Sequence, residues 1–228
     1  MTRRFVTDLK AGERIEDVRT VWLTASGGPF RSTPLAELAH VTPEQALRHP
    51  NWAMGPRITI GSSTLMNKAL EVIELHHLFG LDQSQIRVVI HPQSIVHSMV
   101  EFCDGSVIAQ LGPPDMRGPI HYALHHPDRA PAPLRGFDPG RYSTLNFEEP
   151  DPERFPALEL GYRCLSEGSD AGCTLNAADE VAVEAFLKSQ IHFDDIQRIN
   201  RAVLDRRTGL DGSIADLFEA DRLARAQA

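Results

Sequence analysis

The sequence contains no apolar run of about 18 residues, the minimum length of a membrane-spanning helix, so we expect no membrane partner. Its 228 residues include only three cysteines, Cys103, Cys164 and Cys173, and none of them forms a Cys-x-x-Cys pair. This number and spacing predict reduced thiols in a cytoplasmic protein rather than a disulfide framework or a zinc site. The basic first residues lack the long apolar stretch of a secretory signal.

The sequence also has fewer basic than acidic residues, and it has no glycine-rich phosphate-binding motif. The chain has 23 Lys and Arg against 31 Asp and Glu, which gives a net charge of −8 and argues against a nucleic-acid partner. Neither Gly-x-Gly-x-x-Gly nor Gly-x-x-x-x-Gly-Lys-[Ser/Thr] occurs, so the sequence carries no recognisable nucleotide fingerprint. What is present is an ordinary globular composition, with 42% hydrophobic and 24% charged residues.

Residues 1–126 are predicted to form the first of two folded parts, a mixed α+β domain with a largely antiparallel sheet. Asp104-Gly105 is the strongest hairpin signal in the chain, because this dipeptide favours tight turns between strands. A helix is expected from Leu65 to about Leu78, with Ser62 or Ser63 as its N-cap. The expected strands are 21–25, 57–61, 87–90, 95–102 and 106–111.

Residues 127–155 read as an extended linker, because closely spaced prolines cannot continue a helix or a central strand. One short strand is expected within it at 143–147. Residues 156–228 carry apolar side chains at three- and four-residue spacing. They predict a C-terminal bundle of about four helices, at 158–165, 177–187, 193–204 and 214–226.

The segment from Ser62 to Glu74 offers the clearest candidate chemistry. On a helix that starts near Ser63, Asn67, Glu71 and Glu74 form one polar stripe with Lys68 beside it. Backbone N–H groups at a helix start, serine hydroxyls and an ammonium together suit a phosphate. An amphipathic surface helix with a serine cap explains the same pattern, and from this segment alone it is the preferred interpretation.

Three further segments are weaker candidates. Paired glycines after Ser26 permit a close backbone approach to a ligand, although an ordinary turn has the same composition. The stretch 48–56 combines His, Trp and Gly-Pro, which is typical of a mobile lid or of a packing anchor. His91 and His97 are six residues apart and are interpreted as hydrogen-bonded structural residues rather than metal ligands.

Six motifs follow one another along the chain. They are Ser-Gly-Gly-Pro-Phe-Arg at 26–31, His-Pro-Asn-Trp at 49–52, Leu-Met-Asn-Lys-Ala-Leu-Glu at 65–71, His-Pro-Gln-Ser-Ile-Val-His-Ser at 91–98, Gln-Leu-Gly-Pro-Pro-Asp-Met-Arg at 110–117 and Leu-Asn-Ala-Ala-Asp-Glu-Val-Ala at 175–182. In sequence and order they resemble the motifs of 1-deoxy-D-xylulose 5-phosphate reductoisomerases, and the resemblance runs from about residue 15 to the C-terminus.

This resemblance implies an enzyme of the non-mevalonate isoprenoid pathway that uses NADPH and Mg²⁺ or Mn²⁺. Such an enzyme rearranges 1-deoxy-D-xylulose 5-phosphate and reduces the product to 2-C-methyl-D-erythritol 4-phosphate. The implied partners are a phosphorylated pentose and a second copy of the chain in a homodimer. By position, the resemblance assigns phosphate contacts to Ser26, His49, Ser62, Asn67 and Lys68, a metal and substrate contact to Glu71, a substrate cover to Trp52, and cofactor contacts to Gly55 and Met116.

The sequence also departs from the family pattern. The family's Asp-Ser-Glu motif, which supplies two metal carboxylates, does not occur, and neither does its glycine-rich cofactor domain. The family's Asp-Ser reads Gly61-Ser62 here, and the second Asn of Asn-Ala-Ala-Asn reads Asp179. We therefore expect a truncated reductoisomerase that is inactive on its own. The alternative is a non-catalytic module for phosphosugar binding or dimerisation.

Overall fold

A computed structural model of the protein describes residues 14–48 and 55–228. A four-stranded sheet has the spatial order β2-β1-β3-β4, in which β1 pairs parallel with β2 and the other two pairs are antiparallel. The predicted hairpin is confirmed at Asp104-Gly105, where Gly105 has a φ of 83°. The strands are β1 Val18–Ala25, β2 Ile86–Ile90, β3 Val96–Phe102 and β4 Val107–Leu111.

The described part of the chain also contains nine α-helices. The four predicted C-terminal helices are confirmed as α6 to α9, and the long helix near Leu65 is confirmed as α4. The helices are α1 Leu35–Leu38, α2 Pro43–Ala46, α3 Pro56–Ser63, α4 Met66–Phe79, α5 Arg117–His125, α6 Ala157–Glu167, α7 Ala171–Leu187, α8 Asp195–Asp205 and α9 Ile214–Gln227. None of the described helices is long and apolar enough to cross a membrane.

The predicted strand at 57–61 is wrong, because this segment lies in α3. Gly55 occupies the N-cap and Pro56 the first turn, where the fixed φ of proline favours a helix start. The hydroxyl of Thr59 donates to Gly55 O at 3.0 Å, and that of Ser63 donates to Thr59 O at 3.0 Å. Ile60 is fully buried against aromatic side chains. Tertiary burial therefore overrides the β-propensity of Ile and Thr.

The predicted N-cap of α4 at Ser62 or Ser63 is also wrong. Both serines belong to α3, and the chain turns into α4 through Leu65, which has a φ of 58°. Ser63 is buried, and its hydroxyl bonds back into its own helix. Because α3 leads almost directly into α4, the two helices place Ser62 and Lys68 on either side of one sharp bend.

The proline-rich segment between α5 and α6 contains no helix or strand, but it is not isolated from the sheet. Instead of the expected strand at 143–147, a single antiparallel bridge joins Ile90 to Glu148. Sequence patterning also missed α1, α2 and α5, which are short or amphipathic. The domain boundaries at 126 and 155 remain a prediction.

Helix α4 borders two regions of the core. One lies between the sheet and α4, and includes Val21, Val72 and Ile86. The other lies between α4 and the C-terminal bundle, where Met66 and Ala69 pack on Leu160 and Leu175. Helix α4 is therefore packed on both sides, which fixes the polar side chains at its first turns.

Candidate functional site

The turn after β1 packs directly against the end of α3. Gly27 and Gly28 have φ values of 82° and 67°, a conformation that side chains with a Cβ rarely adopt. A Cβ on Gly28 would lie 2.8 Å from Ser63 Cα and 2.9 Å from Ser62 O. Ser26, whose hydroxyl accepts from Gly28 N at 3.2 Å, is thereby held beside Ser62. Both serines are partly exposed.

The same end of α3 packs against the first turn of α4. The amide of Asn67 donates to Ile58 O at 2.8 Å. A Cβ on Gly61 would lie 2.8 Å from Asn67 Cγ, so a larger side chain at position 61 would require Asn67 to move. The Gly61 departure from the family pattern thus allows Asn67 to lie tightly against α3.

Lys68 and Glu71 form an ion pair one turn into α4. Nζ of Lys68 lies 2.7 Å from both carboxylate oxygens of Glu71, and the Lys68 side chain is only 12% exposed. An ammonium has three N–H donors, so this pair leaves donor capacity for an anion. The positive charge of Lys68 also offsets the negative charge of Glu71, which would otherwise repel an anion at this position.

Two of the N–H groups expected to be free at the start of α4 have partners within the bend. Met66 N donates to Thr64 Oγ1 at 3.3 Å, and Lys68 N donates to Leu65 O at 3.0 Å. The continuity of α3 with α4 provides these partners. The start of α4 therefore offers fewer free backbone donors than the sequence predicts.

The described residues do not fit a divalent metal by themselves. Among them, no group of three His, Cys, Asp or Glu side chains comes together as a ligand set. Glu71 supplies one carboxylate. Partial burial, and secondarily the Glu71 charge, raise the pKa of neighbouring Glu74. Mg²⁺ prefers six oxygen ligands at short distance, so the single carboxylate of Glu71 does not make a site for it.

The remaining candidate residues are His49, Trp52, Gly55 and Met116. His49 and Trp52 lie outside the described residues. Gly55 is exposed at the N-cap of α3. Met116 is 51% exposed and lines a cavity of about 230 Å³ that also borders His97.

His91 is structural, as interpreted from the sequence. It is fully buried, its Nδ1 lies 2.8 Å from Asn146 O, and its ring stacks on Phe147 at 4.8 Å.

Sequence reasoning missed the arginine that ties α3 to the C-terminal bundle. Arg57 donates to Asn176 Oδ1 at 3.0 Å and forms an ion pair with Glu180, which also pairs with Arg225. The motif at 175–182 was a usable signal, because Asn176 and Glu180 share one helical face.

Comparison with known proteins decides the family. One family model, described as the DXP reductoisomerase C-terminal domain, matches residues 111–227. A second, described as the 1-deoxy-D-xylulose 5-phosphate reductoisomerase C-terminal domain, matches residues 4–79. The chain belongs to the 1-deoxy-D-xylulose 5-phosphate reductoisomerase family. The resemblance drawn from its motifs is thus confirmed.

Curated reductoisomerases match nearly the whole chain. The protein from Methylobacillus flagellatus is 55% identical over 215 residues, which cover 92% of this chain and 54% of the relative. That from Pelodictyon phaeoclathratiforme is 52% identical over 219 residues, 96% of this chain and 57% of the relative. The chain spans about half the length of the reductoisomerases that it matches.

Solved reductoisomerase structures share the fold. The Zymomonas mobilis reductoisomerase in complex with NADPH superposes with a TM-score of 0.86 at 46% identity, covering 93% of this chain and 55% of that one. A reductoisomerase in complex with NADPH, fosmidomycin and magnesium superposes with a TM-score of 0.88 at 40% identity, covering 92% and 54%. The mixed α+β architecture is thus that of the reductoisomerase family.

Proposed function

We propose that this chain is the phosphosugar-binding part of a 1-deoxy-D-xylulose 5-phosphate reductoisomerase. The observation that carries the proposal is the contact of the Ser26 turn with the end of α3, and of α3 with Asn67, next to Lys68. In the proposed complex, two hydroxyls, an amide and an ammonium contact one phosphate. Charge-assisted hydrogen bonds of this kind are the strong ones for a phosphate.

In this proposal Lys68 supplies the charge, and Ser26, Ser62 and Asn67 orient the phosphate. The family resemblance adds His49 as a further phosphate contact and Trp52 as a cover. It also adds Glu71 as one metal and substrate ligand, and Gly55 and Met116 near the cofactor. NADPH and Mg²⁺ are bound by the related structures, and Mn²⁺ is the other metal that the resemblance implies. When present, they would supply the hydride and the Lewis acid for conversion to 2-C-methyl-D-erythritol 4-phosphate.

The whole reaction is proposed for an assembly that includes a cofactor-binding region. The 228-residue chain alone is expected to bind the phosphosugar without turning it over, because the sequence has no Gly-x-Gly-x-x-Gly motif and the described residues gather no metal ligand set. The proposed location is the cytoplasm, where the three cysteines would stay reduced.

Titration calorimetry of the chain with 1-deoxy-D-xylulose 5-phosphate and with the unphosphorylated sugar tests this function. We expect only the phosphorylated sugar to bind. Lys68→Met should weaken binding at least about tenfold, or roughly 1.4 kcal/mol, because a charged donor is lost. Lys188→Met is the matched control, since Lys188 pairs with Glu184 on an exposed surface.

Two results would contradict the proposal. Equal binding of both sugars would show that the site does not recognise a phosphate. An unchanged affinity in Lys68→Met would show that the phosphate binds elsewhere. NADPH oxidation by the chain alone with Mn²⁺ and the phosphosugar would contradict the expected lack of turnover.

A second candidate function, homodimerisation, is supported by the outer edge of the sheet. Among the described residues, strand β4 pairs with β3 alone, and its Val107 and Ile108 are 53% and 38% exposed. An unpaired apolar edge is a template for pairing with another strand. We propose that a second copy of this chain pairs there across a two-fold axis.

A further inference from the structure

Residues 146–154, called the strap here, contact the turn that carries Ser26. The strap lies in the proline-rich segment that the sequence predicts as a linker. Ile90 N donates to Glu148 O at 2.8 Å, and Glu148 N donates to Ile90 O at 2.9 Å. Asn146 N donates to Gln93 Oε1 at 3.2 Å. These bonds fix the strap to the end of β2, beside the strand that leads into Ser26.

From this position the strap reaches the Ser26 turn with a carboxylate. Nη1 of Arg31 donates to both oxygens of Glu148, at 2.8 and 2.9 Å. The aliphatic part of Arg31 runs along Gly27, where a Cβ would lie 2.8 Å from Arg31 Cδ. Glu148 therefore holds a side chain that packs directly on the backbone next to Ser26.

The strap holds the far end of the same turn with a guanidinium. Nη1 of Arg154 donates to Phe30 O at 2.8 Å and to Thr33 O at 2.6 Å. Thr33 N also donates to Phe30 O, at 3.2 Å. Arg154 thus joins the two carbonyls at the ends of the turn 30–33, while Glu148 binds the side chain of Arg31 between them.

The Glu148–Arg31 contact is poorly suited to a purely stabilising role. The two side chains are 49% and 36% exposed, and ion pairs this exposed contribute about 0–1 kcal/mol to folding. Both carboxylate oxygens contact the same guanidinium nitrogen, so the pair ties the end of the Arg31 side chain to Glu148. The pair therefore holds the Arg31 side chain in the orientation in which it packs against Gly27.

We propose that the strap is a positioning element that holds the 26–33 turn in its binding conformation and so sets the affinity for phosphate. Glu148 and Arg154 are the positioning residues, acting through Arg31 and through the carbonyls of Phe30 and Thr33. The proposal rests on the proposed phosphate contact of Ser26. It gives the linker-like segment a role in binding that its composition does not suggest.

Hydrogen exchange and phosphate titration of Glu148→Gln and Arg154→Met test the strap. We expect the amides of Gly28 and Thr33 to exchange about tenfold faster in both variants. The affinity for inorganic phosphate should fall by a similar factor. Arg154→Lys keeps a cation that can reach one carbonyl, and should recover part of both effects.

Glu159→Gln is the matched control. It removes another exposed Glu–Arg pair, in which Arg201 of α8 contacts Glu159 of α6. It should leave the Gly28 and Thr33 amides and the phosphate affinity unchanged. Melting temperatures of all variants separate a local effect from general destabilisation.

Three outcomes would overturn the strap proposal. The first is unchanged exchange at Gly28 and Thr33 in both variants. The second is faster exchange with unchanged phosphate affinity, which would mean a structural role only. The third is tighter phosphate binding in Glu148→Gln, which would show that Glu148 competes with phosphate for Arg31. Failure of the unaltered chain to bind phosphate would instead refute the proposed function, while exchange still tests whether the strap holds the turn.

Discussion

Asp179 is a carboxylate in the middle of the C-terminal bundle, at the position where the family pattern has Asn. It is 2% exposed and accepts from Asn200 Nδ2 at 2.9 Å. Burial raises its pKa to about 6, although the bond from Asn200 and the charge of Arg57 act in the opposite direction. Oδ1 of Asn200 is buried without a hydrogen-bond partner in the described structure.

Asp179→Asn should therefore stabilise the chain at neutral pH. Because the folded pKa lies above the ordinary value of 3.8, the protonated form contributes stability that is complete below pH 3.8. That contribution is lost as the pH rises through about 6. Asn does not titrate, and its amide can donate to Asn200 Oδ1. We expect a gain of about 1–3 kcal/mol at pH 7 and little change at pH 4.

Urea unfolding of Asp179→Asn at several values between pH 4 and pH 8 measures this effect. Asp128→Asn, on an exposed residue, should show no such gain. A loss of stability at pH 7 would mean that attraction between the Asp179 charge and Arg57 outweighs the desolvation of the carboxylate. A gain that does not depend on pH would show that the titration of Asp179 is not its cause.

Helices α4 and α6 approach closely because a glycine lies between them. A Cβ on Gly161 would lie 2.9 Å from Ala69 Cα and 2.8 Å from Ala69 O, which are backbone atoms that cannot rotate away. This contact brings the C-terminal bundle against the helix that carries Lys68. The spacing of these two elements is therefore set by one residue without a side chain.

Gly161→Ala should separate α4 from α6 and destabilise the chain by about 1–3 kcal/mol, the usual effect of overpacking. This outcome runs against helix propensity, since Ala is favoured over Gly by about 1 kcal/mol in a helix. Gly172→Ala in α7 is the control, because its Cβ would meet Ile73 at an ordinary 3.4 Å. Thermal unfolding of both variants measures their stability relative to the unaltered chain. Equal or greater stability of Gly161→Ala would contradict a rigid close contact.

At the scale of elements, the sequence was most reliable where one pattern acted alone. The short apolar run at 21–25 predicted β1, the Asp104-Gly105 turn predicted the β3–β4 hairpin, and three- and four-residue spacing predicted α6 to α9. The 57–61 segment failed because β-branched residues favour a strand, while Pro56 and the burial of Ile60 favour a helix. Local propensity could not reveal which of these effects is stronger.

At the scale of the whole molecule, the two edges of the sheet differ. The β2 edge is bridged by the strap at Ile90 and Glu148. The β4 edge has no further strand among the described residues, and Val107 and Ile108 are exposed there. This asymmetry suggests that β4 is the edge at which a second copy would pair.

Ile108→Lys should therefore convert a dimer of the chain into a monomer, because a charge at a paired edge opposes association. Sedimentation velocity should show the mass fall from two chains to one, with little change in the melting temperature. Ile214→Lys is the control, since Ile214 is 77% exposed at the start of α9. If the unaltered chain is monomeric at all concentrations, or if Ile214→Lys dissociates it instead, pairing through β4 is wrong.

The sequence by itself determined the family, most of the helices and strands, and the residues that could hold a phosphate, because motif order and periodicity are local properties. Only the tertiary structure decided how these residues meet. The approach of Gly28 to Ser63, the Lys68–Glu71 pair and the contact of Glu148 with Arg31 depend on packing between distant segments. The free energy of such contacts comes from burial and geometry in the folded chain, and the spacing of residues along the sequence does not contain it.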